Sequence, residues 1–225
     1  MILDDQSLIV GNVTLGGAAD FLAYDPLNSF LYASLIGSSS IAIIDTTLES
    51  VVSSVAVGTS PGWVAYDPAS GTIYSVNRDA NTVSMISNAS LVKTIALDGL
   101  PFAGLRLLRR RHVCHEQRRH RVRHQRDEQL PYRQRPSGRA SSDLSGIAYN
   151  PSDKRMYVTS YTDDRGYTMN GSQVTGSVGG LDVPNGISFK ASTSKMFLVN
   201  SGNDTITASW KGASSTFLVC PDPGR

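Results

Sequence analysis

The sequence predicts an all-β fold assembled from repeated small sheets, on three observations. A six-residue motif recurs: Phe21-Leu22-Ala23-Tyr24-Asp25-Pro26, Trp63-Val64-Ala65-Tyr66-Asp67-Pro68 and Gly146-Ile147-Ala148-Tyr149-Asn150-Pro151, with a looser copy at Gly186-Ile187-Ser188-Phe189-Lys190-Ala191. Eight residues after each aromatic stands a second one, at Tyr32, Tyr74, Tyr157 and Phe197. Between these markers the apolar residues fall in short runs rich in Val, Ile, Tyr and Thr, and no segment sustains a 3.6-residue period. Three or four short strands in each 40 to 44 residues is the pattern of a β-propeller blade, a sheet that buries both faces only between neighbours.

Along the chain the elements follow from this period. Ile2-Leu3-Asp4 and Leu8-Ile9-Val10 match the latter half of a repeat, as in Ile43-Ile44-Asp45 and Val51-Val52, so the chain is expected to begin mid-blade. In the second full repeat, strands are expected at Ile73 to Val76, Thr82 to Ile86 and Leu91 to Leu97, separated by the turn formers Pro68-Ala69-Ser70-Gly71 and Asn77-Arg78-Asp79-Ala80-Asn81. Tyr24 to Tyr66 is 42 residues and Tyr149 to Phe189 is 40, but Tyr66 to Tyr149 is 83, which leaves room for an unseen copy. The final repeat loses its pattern at Trp210. About five repeats are thus present, read as part of a larger propeller for which seven blades is one count; a five-blade ring closed by the N-terminal strands is the alternative.

The recurring aromatics are read as packing between blades, because core positions must repeat in every blade. Asp25 and Asp67 each precede a turn residue, where an Asp side chain caps its own backbone. Asp45, Asp79, Asp163, Asp164 and Asp204 are read as loop or strand-end residues, and Gly16-Gly17 and Gly179-Gly180 as turns needing positive φ.

These residues resemble the YVTN family of β-propeller repeats, common in archaeal surface-layer proteins. The resemblance is carried by Ala65-Tyr66-Asp67-Pro68, Ile73-Tyr74-Ser75-Val76-Asn77 and Asn81-Thr82-Val83-Ser84-Met85-Ile86. Met156-Tyr157-Val158-Thr159-Ser160 departs from the namesake tetrapeptide only at its last position. It covers everything but a basic window and the tail. It implies a scaffold and a surface location; it implies no active site.

The basic window stands apart. Of 225 residues, 21 are Lys or Arg and 19 Asp or Glu, a net charge of +2. Residues 105–139 hold twelve Arg, all four His (His112, His115, His120, His124), Cys114 and only three acids, leaving nine basic and sixteen acidic residues elsewhere. The missing repeat should fall here. Displacing the reading frame by one nucleotide, Cys114-His115 permits only Val or Ala, His115-Glu116 only Thr or Met, Glu116-Gln117 only Asn or Ser, and Val113-Cys114 includes Tyr. Positions 113 to 116 then read Tyr-Val-Thr-Asn, with an aromatic eight residues earlier at 105 and repeat spacings of 42, 39, 44 and 40. The window is accordingly read as a frame-scrambled blade, an irregular Arg/His-rich segment within a single domain spanning 1–225.

As printed, the window also admits polyanion or nucleic-acid binding through its arginines, or metal binding through its His and Cys. Near-absence of aromatics for base stacking, and of paired Cys, argues against both, so nucleic acid is not expected as a partner. Outside the window there is no His, one Glu (Glu49) and one Cys (Cys220), a poor inventory for acid–base or nucleophilic catalysis. The chain is therefore expected not to be an enzyme and to need no cofactor or metal; a lactonase-like hydrolase or an oxidoreductase on a propeller scaffold is the alternative. No apolar run is long enough to span a membrane, and Met1-Ile2-Leu3-Asp4-Asp5 lacks signal-peptide character. Asn12, Asn88, Asn170 and Asn203 head N-x-S/T triplets, candidate glycosylation sites in an extracellular or cell-surface chain. The expected function is a non-catalytic surface module binding protein or glycan, with no binding residue nominated.

Overall fold

The computed structural model describes residues 2–3, 9–97, 144–210 and 213–218. The 105–139 window, the frame reading placed on it, and Cys220 lie outside the described residues. Among the described residues the short apolar runs form strands. A two-stranded antiparallel sheet pairs β1 (Ile2–Leu3) with β2 (Ile9–Gly11). Four four-stranded antiparallel meanders follow, here called blades I to IV. Blade I is β3 (Ala19–Asp25), β4 (Phe30–Leu35), β5 (Ser40–Asp45) and β6 (Ser50–Ala56). Blade II is β7 (Pro61–Asp67), β8 (Thr72–Asn77), β9 (Thr82–Ser87) and β10 (Ser90–Ala96). Blade III is β11 (Leu144–Asn150), β12 (Arg155–Ser160), β13 (Arg165–Asn170) and β14 (Gln173–Val178). Blade IV is β15 (Pro184–Lys190), β16 (Lys195–Asn200), β17 (Thr205–Trp210) and β18 (Ala213–Leu218).

The architecture is that of a β-propeller, with the first strands β3, β7, β11 and β15 laid against one another in succession. Among the described residues the only helical pieces are single 3-10 turns at Ile36–Ser38 and Ala191–Thr193. Blade IV is completed by its own fourth strand, and the N-terminal strands pair with each other. The alternative in which they complete the last repeat is therefore corrected: β18 supplies that strand although its sequence has lost the repeat pattern.

Tight turns explain part of the repeat. Five residues after the first aromatic, Ser29, Gly71, Lys154 and Ser194 all have positive φ; seven after the second, Ser39, Asn81, Asp164 and Asp204 do too. Short left-handed turns of this kind tolerate small polar residues, which is why these loops read as Ser/Asn/Asp clusters. Of the two glycine pairs, only Gly16 and Gly180 have positive φ, so the expectation holds for one member of each.

Packing between blades follows one rule. Tyr32, Ile41 and Ile43 of blade I enclose Ile73 and Ile86 of blade II. Tyr74, Val76 and Val83 of blade II enclose Ile147, Met156 and Val158 of blade III. Tyr157 of blade III packs on Met196 and Leu198 of blade IV. At each seam the earlier blade presents its second aromatic and the later one presents aliphatic side chains, each worth about 1.5–3 kcal/mol when fully buried. Blades II and III meet directly, although residues 98–143 separate them in sequence. Leu97 and Leu144, at the two ends of that separation, lie in the same buried cluster.

The Tyr-Asp motif stitches these seams. Asp25 accepts from its own turn at Leu27 N (2.9 Å) and Asn28 Nδ2 (2.8 Å), and Asp67 accepts from Ala69 N (2.9 Å) and Ser70 Oγ (2.7 Å), as the capping expectation requires. The same carboxylates also face the next blade: the Tyr66 hydroxyl lies beside Asp25, and the Tyr149 hydroxyl beside Asp67. At the following seam Phe189 has no hydroxyl, and Asn150 replaces the carboxylate while still capping Ser152 N at 2.9 Å. Tyr24, with no such partner among the described residues, is 47% exposed.

Two predictions follow from these contacts. Removing residues 101–141 leaves a six-residue connection from Ala96 to Leu144, comparable to the five residues between β14 and β15. The shortened chain is expected to melt cooperatively within a few degrees of the full one by circular dichroism. The second concerns alkaline pH. Burial, with the Asp67 charge, pushes the Tyr74 phenol up to about 12; burial, with the Asp153 hydrogen bond and charge, pushes Tyr157 up to about 12. The folded state thus holds protons that the unfolded chain releases near the ordinary tyrosine value of 10.0. Their contribution is whole below pH 10 and is lost as pH rises towards 12, so urea midpoints should be flat up to about pH 9 and fall above it.

Candidate functional site

Every blade breaks its regularity at the start of its first strand, and blades I to III slip again between their third and fourth strands. Where the first strand begins, the register with the second strand slips: between Ala19 and Leu22, Pro61 and Val64, Leu144 and Gly146, and Pro184 and Gly186. Each slip inserts one extra residue, a bulge that re-aims side chains out of the ladder. The residues within these slips differ from blade to blade: Asp20 and Phe21, Gly62 and Trp63, Ser145, Asn185. The scaffold positions behind them repeat. Structure and sequence together therefore mark this rim as the place where the blades are individual.

A cleft of about 480 Å³ opens there. Blade II contributes Ser60, Trp63, Arg78 and Asp79, blade III Leu144, Ser145 and Tyr161, and blade IV Asn185. Trp63 stacks on Phe21 of blade I, with ring centroids 4.1 Å apart at 23°. Arg78 Nη2 donates to Asp20 Oδ2 at 3.3 Å, tying blade II to blade I, and its backbone N–H donates to Ser60 O at 3.0 Å. Gly62 leaves room for this arm, since a Cβ there would lie 3.2 Å from Arg78 Nε. The Ser60 hydroxyl donates to the Asp79 carboxylate. Ser145 Oγ is spent inside the scaffold, donating to Pro184 O at 2.5 Å. Asn185 is exposed.

The loop that carries Arg78 and Asp79 is held by a buried amide. Asn77 Nδ2 donates to Thr82 Oγ1 and Ser84 Oγ, both at 2.9 Å, and Asn200 Nδ2 does the same with Thr205 Oγ1 (2.8 Å) and Thr207 Oγ1 (2.9 Å). This is the work of the asparagine in the repeat motif. Blade III has Ser160 instead, which cannot reach across the loop. Asp163 takes over, accepting from Ser160 Oγ and Tyr167 Oη at 2.8 Å each. Asp164 accepts from Val183 N of blade IV at 2.8 Å, and Asp45 caps Thr47 N at 2.7 Å, in keeping with their reading as loop and strand-end residues.

A second cleft, of about 200 Å³, lies in the seam of blades III and IV beside Asp153, Tyr157 and Ser209. There Tyr157 Oη donates to Asp153 Oδ2 at 2.6 Å, an internal tie of blade III. Among the described residues no group of three His, Cys, Asp or Glu is placed to hold a metal ion. Among the described residues no helix is long and apolar enough to cross a membrane.

The four candidate glycosylation residues are scattered over the blades. Asn12, Asn88 and Asn170 are exposed, Asn88 in the β9–β10 turn and Asn170 at the end of β13. Asn203 is half-buried, and its Oδ1 accepts from Thr205 Oγ1 at 2.6 Å. None lines the cleft. Sequence reasoning nominated no binding residue and so missed Trp63, Arg78, Asp79 and Asn185. Their signal was the variation just before each Ala-Tyr or its counterpart, and in the loop after each Asn.

No family model and no curated protein matches the chain. Solved structures do. A streptogramin B lyase superposes with a TM-score of 0.62 at 10% identity, covering 89% of this chain and 54% of that one. A catalytically inactive virginiamycin B lyase from Staphylococcus aureus with quinupristin gives 0.64 at 12%, covering 91% and 56%. A protein from Lactobacillus plantarum gives 0.59 at 19%, covering 92% and 57%. The chain spans little more than half the length of each. At these identities the likeness concerns the fold, a β-propeller. It also corrects the expectation that the chain is not an enzyme: two of these neighbours are lyases on the same scaffold.

The asparagine clamp makes a checkable prediction. Asn77→Ala removes both donors to Thr82 and Ser84 and is expected to lower unfolding stability in urea by about 1–3 kcal/mol. Arg78→Ala, which removes a surface ion pair, is expected to cost less than ~1 kcal/mol.

Proposed function

We propose that the chain is a blade array of a YVTN-type β-propeller that acts as a cell-surface binding module, with its ligand face at the bulged rim. The observation that carries this reading is the placement of the bulges. All four first strands bulge at the same end, and three of the bulge sites contribute to one rim cleft, while the scaffold residues behind them repeat. A protein that needed only to stack would have no reason to differ there. The surface location rests on the family resemblance and on three exposed N-x-S/T asparagines. The partner class is a protein or glycan of the envelope.

The domain reading belongs to the same proposal: one partial propeller over 1–225, with 105–139 a blade scrambled by two compensating frame displacements. Its support is the near-forced Tyr-Val-Thr-Asn at positions 113 to 116 and the repeat spacing it restores. Accurate resequencing of the DNA encoding residues 100–143 decides it. A pair of indels sustains the reading; codons that cannot spell the repeat end it.

Two outcomes test the binding role and the location. Purified protein is expected to sediment with the envelope fraction of the source cell, and a folded Trp63→Ala/Asn185→Ala double variant to stay in solution; equal sedimentation of both contradicts the rim. In a host that glycosylates N-x-S/T, peptide mass spectrometry is expected to find glycan on Asn12, Asn88 and Asn170, and little on Asn203, whose amide oxygen and Thr205 hydroxyl bond each other.

A further inference from the structure

We infer that the rim cleft takes a neutral saccharide of one or two sugar rings. The inference rests on the binding-face reading above and adds the chemical class of the ligand. Four features of the cleft carry it.

The first is the aromatic surface. Trp63 is half-buried, backed by Phe21 on blade I and wedged against the blade II–III core, and the remainder of it lines the cleft. A pyranose ring has an apolar face of C–H groups that lies flat on such a surface, and a ring already fixed from behind loses little freedom on binding. The second is the mix of polar groups. The Asp79 carboxylate, which takes the Ser60 hydroxyl on one oxygen, keeps acceptor capacity on the other, the Asn185 amide both donates and accepts, and Tyr161 lines the cleft with them. Vicinal sugar hydroxyls each donate and accept, and this set answers both demands.

The third is charge. Among the described residues Arg78 is the one cation lining the cleft, and it is paired to Asp20, with Asp79 next to it in the chain. Among the described residues, an anion at the rim meets a guanidinium that already has a carboxylate partner and a second carboxylate beside it, which disfavours a phosphate or carboxylate ligand. The fourth is shape and size. About 480 Å³ falls within the range of small-molecule sites, and the walls are too polar for a lipid or an apolar peptide side chain: Leu144, the other apolar residue there, is wholly buried.

Titration calorimetry with the full chain tests this, using glucose, mannose, galactose and N-acetylglucosamine and their disaccharides. At least one is expected to bind, with a change in tryptophan emission. Trp63→Ala is expected to weaken it about tenfold or more and Trp63→Phe by less, and Asn185→Ala to shift preference between epimers. Melting curves establish that each variant is folded. If no saccharide binds while the chain still sediments with envelope through the rim, the saccharide assignment is wrong and the binding face stands. If rim variants sediment as the parent does, the binding face itself is wrong. Saccharide binding that survives Trp63→Ala and Asn185→Ala unchanged places the ligand elsewhere and overturns the inference.

Discussion

The contact on which the stack depends is a tyrosine hydroxyl of one blade resting on the turn aspartate of the blade before it. That aspartate is already committed: its Oδ1 caps the turn that follows the first strand, and its Oδ2 takes a side-chain donor from the same turn. Asp25 is 1% exposed and Asp67 6%. A carboxylate so far from water needs compensating polar neighbours, and the tyrosine of the next blade brings its hydroxyl beside it from outside the local turn. A single side chain thereby links the geometry of a hairpin to the arrival of its neighbour. Where the neighbour brings Phe189, the chain carries Asn150, which caps the turn without a charge to satisfy. Acceptor and donor have changed together at that seam.

Two of the three described seams use the same tyrosine–aspartate pairing, so blades are close to interchangeable as neighbours. Blade III docks on blade II through Tyr149 and Asp67 as blade II docks on blade I through Tyr66 and Asp25. Such a stack is close to one-dimensional, each unit answering only to the next. The repeat therefore fixes the scaffold and leaves the strand starts free. The bulges use that freedom, and the cleft is built from what the repeat does not dictate: Trp63, Asp79, Tyr161, Asn185.

The fold was legible because its signals are local or periodic. The Tyr-Asp-Pro motif, the second aromatic eight residues on and the Ser/Asn turns appear without knowing any register. The partner of each tyrosine was not legible, since it lies one repeat away. Nor was the Asn77 clamp, which needs Thr82 and Ser84 on the facing strand, or the rescue of Ser160 by Asp163. The rim residues were hidden for a related reason. A bulge is a difference of one residue between two paired strands, and a single strand read alone does not show it. The exclusion of catalysis failed differently: it reasoned from a residue inventory, and other propellers that share this fold are lyases.

A double-mutant cycle on Asp67→Asn and Tyr149→Phe tests the stitching of blades most directly. The double variant reproduces the Asn150–Phe189 seam that the chain already uses. Asp67→Asn leaves the turn cap in place and Tyr149→Phe keeps the ring, so only the hydroxyl–carboxylate contact is removed. Urea unfolding of the four proteins is expected to give a coupling energy of about 1–2 kcal/mol, with the double variant more stable than the sum of the single losses allows. Losses that add to within ~0.3 kcal/mol would show that the two residues do not act on each other, and that the blades are held by apolar packing alone.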